Sequence, residues 1–133
     1  MIQLTGKVAG CHIWGGVELS NGIVIKYAGI KIPSSGANNK YLRFTALYSS
    51  TLIAGRIIKY GLTGNKVGNI PEAYIYLNDV CINEILVKRG YAIAVRDESK
   101  MSERLVKLED KARENKIGLW AFSEDNPFAE PLY

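Results

Sequence analysis

Acidic residues are nearly missing from the first half of the chain. Residues 1–71 contain eight lysines or arginines and a single acid, Glu18, whereas residues 72–133 contain nine basic and twelve acidic residues. Metal enzymes that use hard cations need several carboxylate oxygens close together as ligands. One carboxylate cannot supply these ligands, so a hard-cation site built from residues 1–71 is excluded. Its positive charge instead favours a face that meets an anionic partner.

Histidine and cysteine are also scarce, with one histidine, His12, and two cysteines, Cys11 and Cys81, that form no C-x-x-C pair. These are too few for a zinc site. A dyad of Cys11 and His12 is excluded because neighbouring side chains on a strand point to opposite faces. We therefore expect no metal and no catalytic residue. Two separate cysteines are typical of small buried side chains in a reducing intracellular compartment, the cytoplasm or an organelle matrix.

Long apolar runs are absent too. No stretch approaches the roughly 18 residues that a membrane helix needs, and the first residues show no basic region followed by an apolar one, as a secretory signal would. The chain has no P-loop and no G-x-G-x-x-G motif, so we expect no cofactor. Its 133 residues fit one domain, which we place at residues 1–122, with a polar tail at 123–133.

What the chain does contain is a series of strand patterns followed by helical spacing. Asn21-Gly22 between two apolar runs predicts a hairpin, because both turn positions favour a positive φ. Ser99 is expected to begin a long helix, and Gly90 to end a shorter one. Five strands are predicted, at residues 4–13, 17–19, 23–27 with a continuation through 28–32, 56–62 and 72–77, with a loop at 63–69. The predicted helices cover residues 41–54, 82–90 and 100–116.

Antiparallel strands interrupted by a helix before the last pair predict an α+β fold, a small five-stranded OB-fold barrel with three helices. In the last helix, apolar residues recur at spacings of four, three and four and form its buried stripe. These residues are Met101, Leu105, Leu108 and Ala112.

Two segments of the second half resemble the staphylococcal nuclease (thermonuclease-like) family. Residues 73–77 read AYIYL and residues 80–92 read VCINEILVKRGYA, which are similar to the family's tyrosine-rich strand and its V-N-E-A-L-V-x-x-G-x-A helix. Residues 108–120 end in GLW, as the family's last helix typically does. The resemblance covers residues 72–120 and implies the same barrel. We expect Asn83 and Glu84 at the start and surface of the short helix, and Trp120 beneath the last one.

The family cleaves phosphodiesters with a bound calcium ion, aspartate ligands, a carboxylate that acts on water and two arginines. The resemblance places residues 13–17 at the first aspartates, but this segment has no carboxylate. It places Lys26 at the first arginine, Lys31 at a ligand aspartate and Ser34 at the glutamate. The turn at 68–71, where the second arginine belongs, has no basic residue. These departures predict a catalytically degenerate member rather than a nuclease.

Two non-enzymatic functions remain, and the first is an accessory subunit held in a larger assembly by other protein subunits. Phe128 and Tyr133 in the tail are the candidate docking residues. The alternative is a module that binds single-stranded nucleic acid through a basic barrel face without metal. A calcium-dependent nuclease is the least favoured of the three. The candidate nucleic-acid or anion-binding residues are Trp14, Lys26, Tyr27, Lys31, Lys40, Lys59 and Lys66.

Overall fold

The structure, a computed structural model, describes residues 2–33 and 41–122, except for the side chain of Leu42, together with Phe128. None of the helices in this part of the chain is long and apolar enough to cross a membrane. The strands are β1 (Gln3–Cys11), β2 (Gly16–Leu19), β3 (Val24–Tyr27), β4 (Ile30–Lys31), β5 (Ile57–Val67), β6 (Ile70–Leu77), β7 (Val80–Cys81) and β8 (Ile93–Ala94). The helices are α1 (Leu42–Ile53), α2 (Ile82–Lys88), α3 (Lys100–Glu114) and a short 3₁₀ helix, Gly118–Ala121.

Five strands form a closed barrel. They lie in the order β3-β2-β1-β5-β6, and every neighbouring pair in this series is antiparallel. The barrel closes where β3 and β6 pair in parallel, with Lys26 opposite Glu72 and Tyr27 opposite Ala73. The α+β fold, a five-stranded OB-type barrel with three helices, is therefore confirmed.

The predicted loop at residues 63–69 is wrong. β5 continues to Val67 and β6 begins at Ile70, so the two strands form one long hairpin. The register shifts between Leu62 and Lys66, which accommodates the turn-forming residues between them as a bulge inside the strand. The turn itself is shorter than expected and uses Gly68, whose φ is +61°.

The predicted continuation of the third strand through residues 28–32 is also wrong, because the chain turns at Gly29, whose φ is +72°. β4 leaves the barrel and pairs with β8 in a separate two-stranded sheet, with Ile30 opposite Ala94 and Lys31 opposite Ile93. A side chain at Gly29 would lie 2.8 Å from the Tyr74 hydroxyl. This tight turn therefore requires glycine and sets the direction in which Lys31 leaves the barrel.

The long helix α3 packs through the predicted stripe. Leu105 and Ala112 are buried, Met101 and Leu108 are half-buried, and the Ser99 hydroxyl accepts a hydrogen bond from the Ser102 amide at 3.0 Å. The periodicity did not predict Glu109, which is buried on the same face. Its carboxylate accepts a hydrogen bond from the Ala94 amide at 2.8 Å and another from Arg96 at 3.0 Å. These bonds connect α3 to β8.

Asn83 lies at the start of the short helix, as expected, but it is fully buried and not at the surface. Its side-chain oxygen accepts a hydrogen bond from the Ile75 amide at 2.9 Å. Its side-chain nitrogen donates to the carbonyls of Ala28 at 2.8 Å and Ala73 at 3.1 Å. Asn83 thus joins α2 to β6 and to the end of β3, at the place where the barrel closes.

A second apolar cluster lies outside the barrel and includes Trp120, as expected near the last helix. Phe128 is only 5% exposed, and its ring lies 5.0 Å from that of Trp120. The prediction that Phe128 docks on a neighbouring subunit is therefore wrong, because the side chain is already covered by its own domain. Tyr133 and the rest of the tail at 123–133 lie outside the described residues. The buried members of the cluster are Tyr41, Ala112, Leu119, Trp120 and Phe128.

The helix α1 is joined to the barrel through buried polar groups. The Tyr27 hydroxyl lies 2.6 Å from the Ser49 oxygen, and the Ser49 hydroxyl donates to the Cys11 sulfur at 3.3 Å. Burial raises the pKa of Tyr27 well above its usual range, although the hydrogen bond with Ser49 acts in the opposite direction. Tyr27 is therefore a neutral core residue that holds α1 against β3.

We predict that Asn83→Ala lowers the free energy of unfolding by about 2–4 kcal/mol, because it leaves one buried amide and up to two carbonyls without their partner. Urea denaturation measures the change. Asn115→Ala is the matched control, since the exposed Asn115 side chain also donates to a backbone carbonyl, that of Lys111. It is expected to cost less than about 1 kcal/mol. Equal losses in the two variants would contradict the role given to Asn83.

We also predict that stability falls as the pH rises above about 10, where an unfolded tyrosine loses its proton. The raised pKa means that native Tyr27 keeps its proton there, so its contribution is complete below that pH and is lost above it. Tyr27→Phe should therefore show a smaller loss of unfolding free energy between about pH 9 and pH 11. Chemical denaturation at several pH values measures this loss, and identical slopes in the two proteins would refute the prediction.

Candidate functional site

An open pocket of about 560 Å³ lies against the closing seam of the barrel. It is bordered by the turn after β1, by β3, by β4 and by the β5–β6 hairpin. Most of its walls are apolar, and its charged groups are Lys26, Lys31 and Glu72. The apolar wall residues are Ile13, Trp14, Tyr27, Ile30, Ile32, Pro33 and Val67.

Barrel closure determines which charges meet in this pocket. Lys26 and Glu72 are register partners in the parallel pair of β3 and β6, and side chains opposite each other on neighbouring strands share a face. Lys31 reaches the same pocket from β4. Sequence reasoning missed Glu72, because it lies 46 positions after Lys26 and no local pattern connects the two. The topology of a closed barrel, in which β3 and β6 meet at the seam, is the signal that could have revealed their proximity.

Trp14 lies at the edge of the pocket and is 42% exposed. The His12 ring stacks on it, with ring centroids 5.3 Å apart and an angle of 10° between the planes. The His12 Nε2 atom is 3.0 Å from the Glu18 carboxylate, which fixes the imidazole. The Lys26 ammonium lies 5.5 Å from the indole centroid, within the range of a cation–π contact. Trp14 is thus held in place while part of its ring remains accessible.

Two glycines allow this arrangement. A Cβ atom on Gly16 would lie 2.2 Å from the Trp14 ring, which leaves no room for any larger residue while the indole stays in place. At Gly15 the φ is +98°, and a Cβ atom would lie 2.5 Å from Ile32. Gly16 therefore leaves room for the outer edge of the indole, and Gly15 leaves room for Ile32 of the pocket wall.

The structure brings four of the seven candidate binding residues together, namely Trp14, Lys26, Tyr27 and Lys31. Tyr27 is nevertheless wrong as a stacking surface, because it is a core residue that is only 6% exposed. Lys59 alternates with the buried Ile58 and Tyr60, so its side chain is outside the barrel and does not line the pocket.

Of the two remaining candidate binding residues, Lys66 and Lys40, the structure describes only Lys66. Lys66 is exposed on the β5–β6 hairpin, next to Val67 in the pocket wall, and is therefore close to the pocket without lining it. Lys40 lies outside the described residues.

The side chains that most often act as nucleophiles or metal ligands do not gather here. Cys11 contacts Ser49 of α1, and burial raises the pKa of the Cys81 thiol, which makes its thiolate scarcer. Within residues 2–33 and 41–122, no group of three or more histidine, cysteine, aspartate or glutamate side chains is arranged to hold a metal ion.

A second surface feature lies on the outer side of α1. Phe44 and Phe122 stack with centroids 5.7 Å apart and nearly parallel rings, although the two residues are 41% and 53% exposed. Leu47, one helical turn from Phe44, is 63% exposed. We call Phe44, Leu47 and Phe122 the aromatic patch. Exposed apolar clusters of this kind are typical of interaction surfaces.

A comparison with curated proteins finds no match for this chain. The family model described as staphylococcal nuclease homologue matches residues 24–122. This range includes β3, the β5–β6 hairpin, all three helices and the parallel seam that borders the pocket, but not Ile13, Trp14 and Gly15 of the pocket wall. The chain therefore belongs to the staphylococcal nuclease homologue family.

Proposed function

We propose that this domain binds single-stranded nucleic acid at the pocket and does not cleave it. The observation that carries the proposal is the Lys26 ammonium over the accessible Trp14 ring at the edge of a pocket that also contains Lys31. Proteins that bind single strands without strong sequence preference combine cations that follow the phosphate backbone with aromatic rings on which bases stack. Trp14 and the lysines supply both elements on one side of the barrel.

The chemistry of the pocket supports binding without catalysis. A calcium site takes six to eight oxygen ligands, usually with several carboxylates. The pocket supplies one carboxylate, Glu72, and two lysines also line it, so the residues present do not fit calcium. Lys26 attracts a phosphate as a point charge, but it lacks the planar fork with which arginine holds two phosphate oxygens.

We predict that Lys26→Ala weakens binding of a fluorescent single-stranded 12-mer by roughly 3- to 10-fold at low salt and reduces the salt slope by about 0.7. Fluorescence anisotropy at several salt concentrations measures both quantities. Lys107→Ala is the matched control, because Lys107 is an exposed lysine on α3 and is expected to leave both unchanged.

Two outcomes of this experiment would contradict the proposal. Absence of binding at low salt would remove the nucleic-acid function. Cleavage of the 12-mer that requires calcium and stops with a chelator would show that the domain is an active nuclease.

A second candidate function is that of an accessory subunit in a larger assembly, and the aromatic patch supports it. Three large apolar side chains at this patch are 41% to 63% exposed. Aromatic residues are enriched at protein interfaces, where a few of them supply most of the binding free energy. This surface replaces Phe128, whose ring is already covered, as the candidate docking site.

We predict that Phe44→Asp combined with Leu47→Asp weakens the interaction with a stoichiometric protein partner by tenfold or more, on the order of a hot-spot loss. The complex is first isolated from the native source to identify the partner, and titration calorimetry then measures the affinity of that partner for each variant. Ile23→Asp is the control, since Ile23 is an exposed apolar residue in the turn before β3. A complex that survives the double substitution would exclude this patch as the docking site.

A further inference from the structure

The balance of charge in the pocket favours a neutral ring over a phosphate as the group that enters it. Lys26, Lys31 and Glu72 together give a single net positive charge, and the other wall residues are largely apolar. A phosphate carries its charge into such a space at a cost, because the apolar walls offer it no hydrogen bonds. The volume of about 560 Å³ is in the range of pockets that hold small organic ligands.

Trp14 provides a surface on which such a ring can stack. His12 and Gly16 fix the indole, so little conformational freedom is lost when a ligand binds to it. Lys26 is the only described cation over this ring. Its contact is weak at an exposed site, and its flexible side chain can turn toward a neighbouring phosphate when a base takes its place.

Glu72 adds a hydrogen-bond acceptor to the same pocket. Carboxylates accept hydrogen bonds from the exocyclic amino group of cytosine. Thymine and uracil present a carbonyl oxygen at that position, and a carboxylate repels it. A base that carries an amino group therefore matches Glu72, whereas thymine or uracil does not.

We propose that the pocket receives one unpaired, amino-bearing base of a single strand, stacked on Trp14 and hydrogen-bonded to Glu72, while Lys26 and Lys31 meet the flanking phosphates. This inference rests on the proposed nucleic-acid function and specifies its ligand. The base must be unpaired, because a base inside a duplex is stacked on its neighbours and cannot enter a pocket unless it is flipped out.

The test uses labelled nine-nucleotide strands that are abasic except for a central dC, a central dT or no base at all. We expect the dC strand to bind about 5- to 150-fold more tightly than the fully abasic strand, which is the range of one stacked base. The affinity for the dT strand should lie between the affinities for the dC strand and the fully abasic strand. Trp14→Ala should abolish the gain from the base, so that the dC and abasic strands bind this variant with equal affinity, and Glu72→Gln should remove the preference for dC over dT. Phe44→Ala is the control for loss of an exposed aromatic ring.

Tryptophan fluorescence of the unaltered protein gives a second measurement that does not depend on a variant's folding. The chain has two tryptophans, and Trp120 is buried away from the pocket. Stacking on Trp14 should therefore quench part of the emission with the dC strand but not with the abasic strand.

The outcomes separate this inference from the function on which it rests. Equal affinity for the dC and abasic strands would overturn base recognition and leave phosphate binding intact. Equal affinity for dC and dT would overturn the role of Glu72. Failure of every strand to bind at low salt would overturn the proposed nucleic-acid function itself.

Discussion

The structure depends above all on the hydrogen bonds of one buried amide, Asn83, at the seam where the barrel closes. Only two residue pairs join β3 and β6, Lys26 with Glu72 and Tyr27 with Ala73. Asn83 bonds to backbone groups on both sides of this short seam, inside a core where an unpaired polar group is costly. The same seam sets Lys26 beside Glu72, so the amide that closes the fold also creates the charged side of the pocket.

A second buried polar group performs a similar role for the outer layer. Glu109 of α3 accepts the Ala94 amide of β8, and β8 pairs with β4, which carries Lys31 into the pocket. Arg96 and Arg113 lie 3.0 Å and 3.7 Å from its carboxylate, so the buried charge is compensated. The positions of both pocket lysines thus follow from polar side chains that lie in the core rather than in the site.

The sequence allowed the barrel, the three helices and the cap at Ser99 to be predicted, because each depends on local periodicity or on a motif confined to a short segment. The contacts of Glu72 with Lys26 and of Asn83 with Ala28 were not predicted from the sequence. These partners lie 46 and 55 positions away, and the spacing of polar residues carries no information about such contacts. The burial of Tyr27 and Phe128 was also not predicted, because aromatic residues occur both in cores and on surfaces and the residue type alone does not say which. The loop predicted at residues 63–69 was wrong because Gly64 and Asn65 are favoured in a bulge as well as in a turn.

The two proposed functions use surfaces that substitution can separate. The pocket is built by the turn after β1 and by β3, β4 and the β5–β6 hairpin, whereas the aromatic patch is built by α1 and Phe122. None of the three patch residues lines the pocket. A domain of this size can therefore hold a protein partner on α1 while the pocket remains open to a single strand. The seam that Asn83 closes borders the pocket through Lys26, Tyr27 and Glu72, and none of these residues belongs to the patch. The two proposed functions therefore use separate surfaces of one barrel, and neither proposal requires the carboxylate cluster that calcium-dependent cleavage needs.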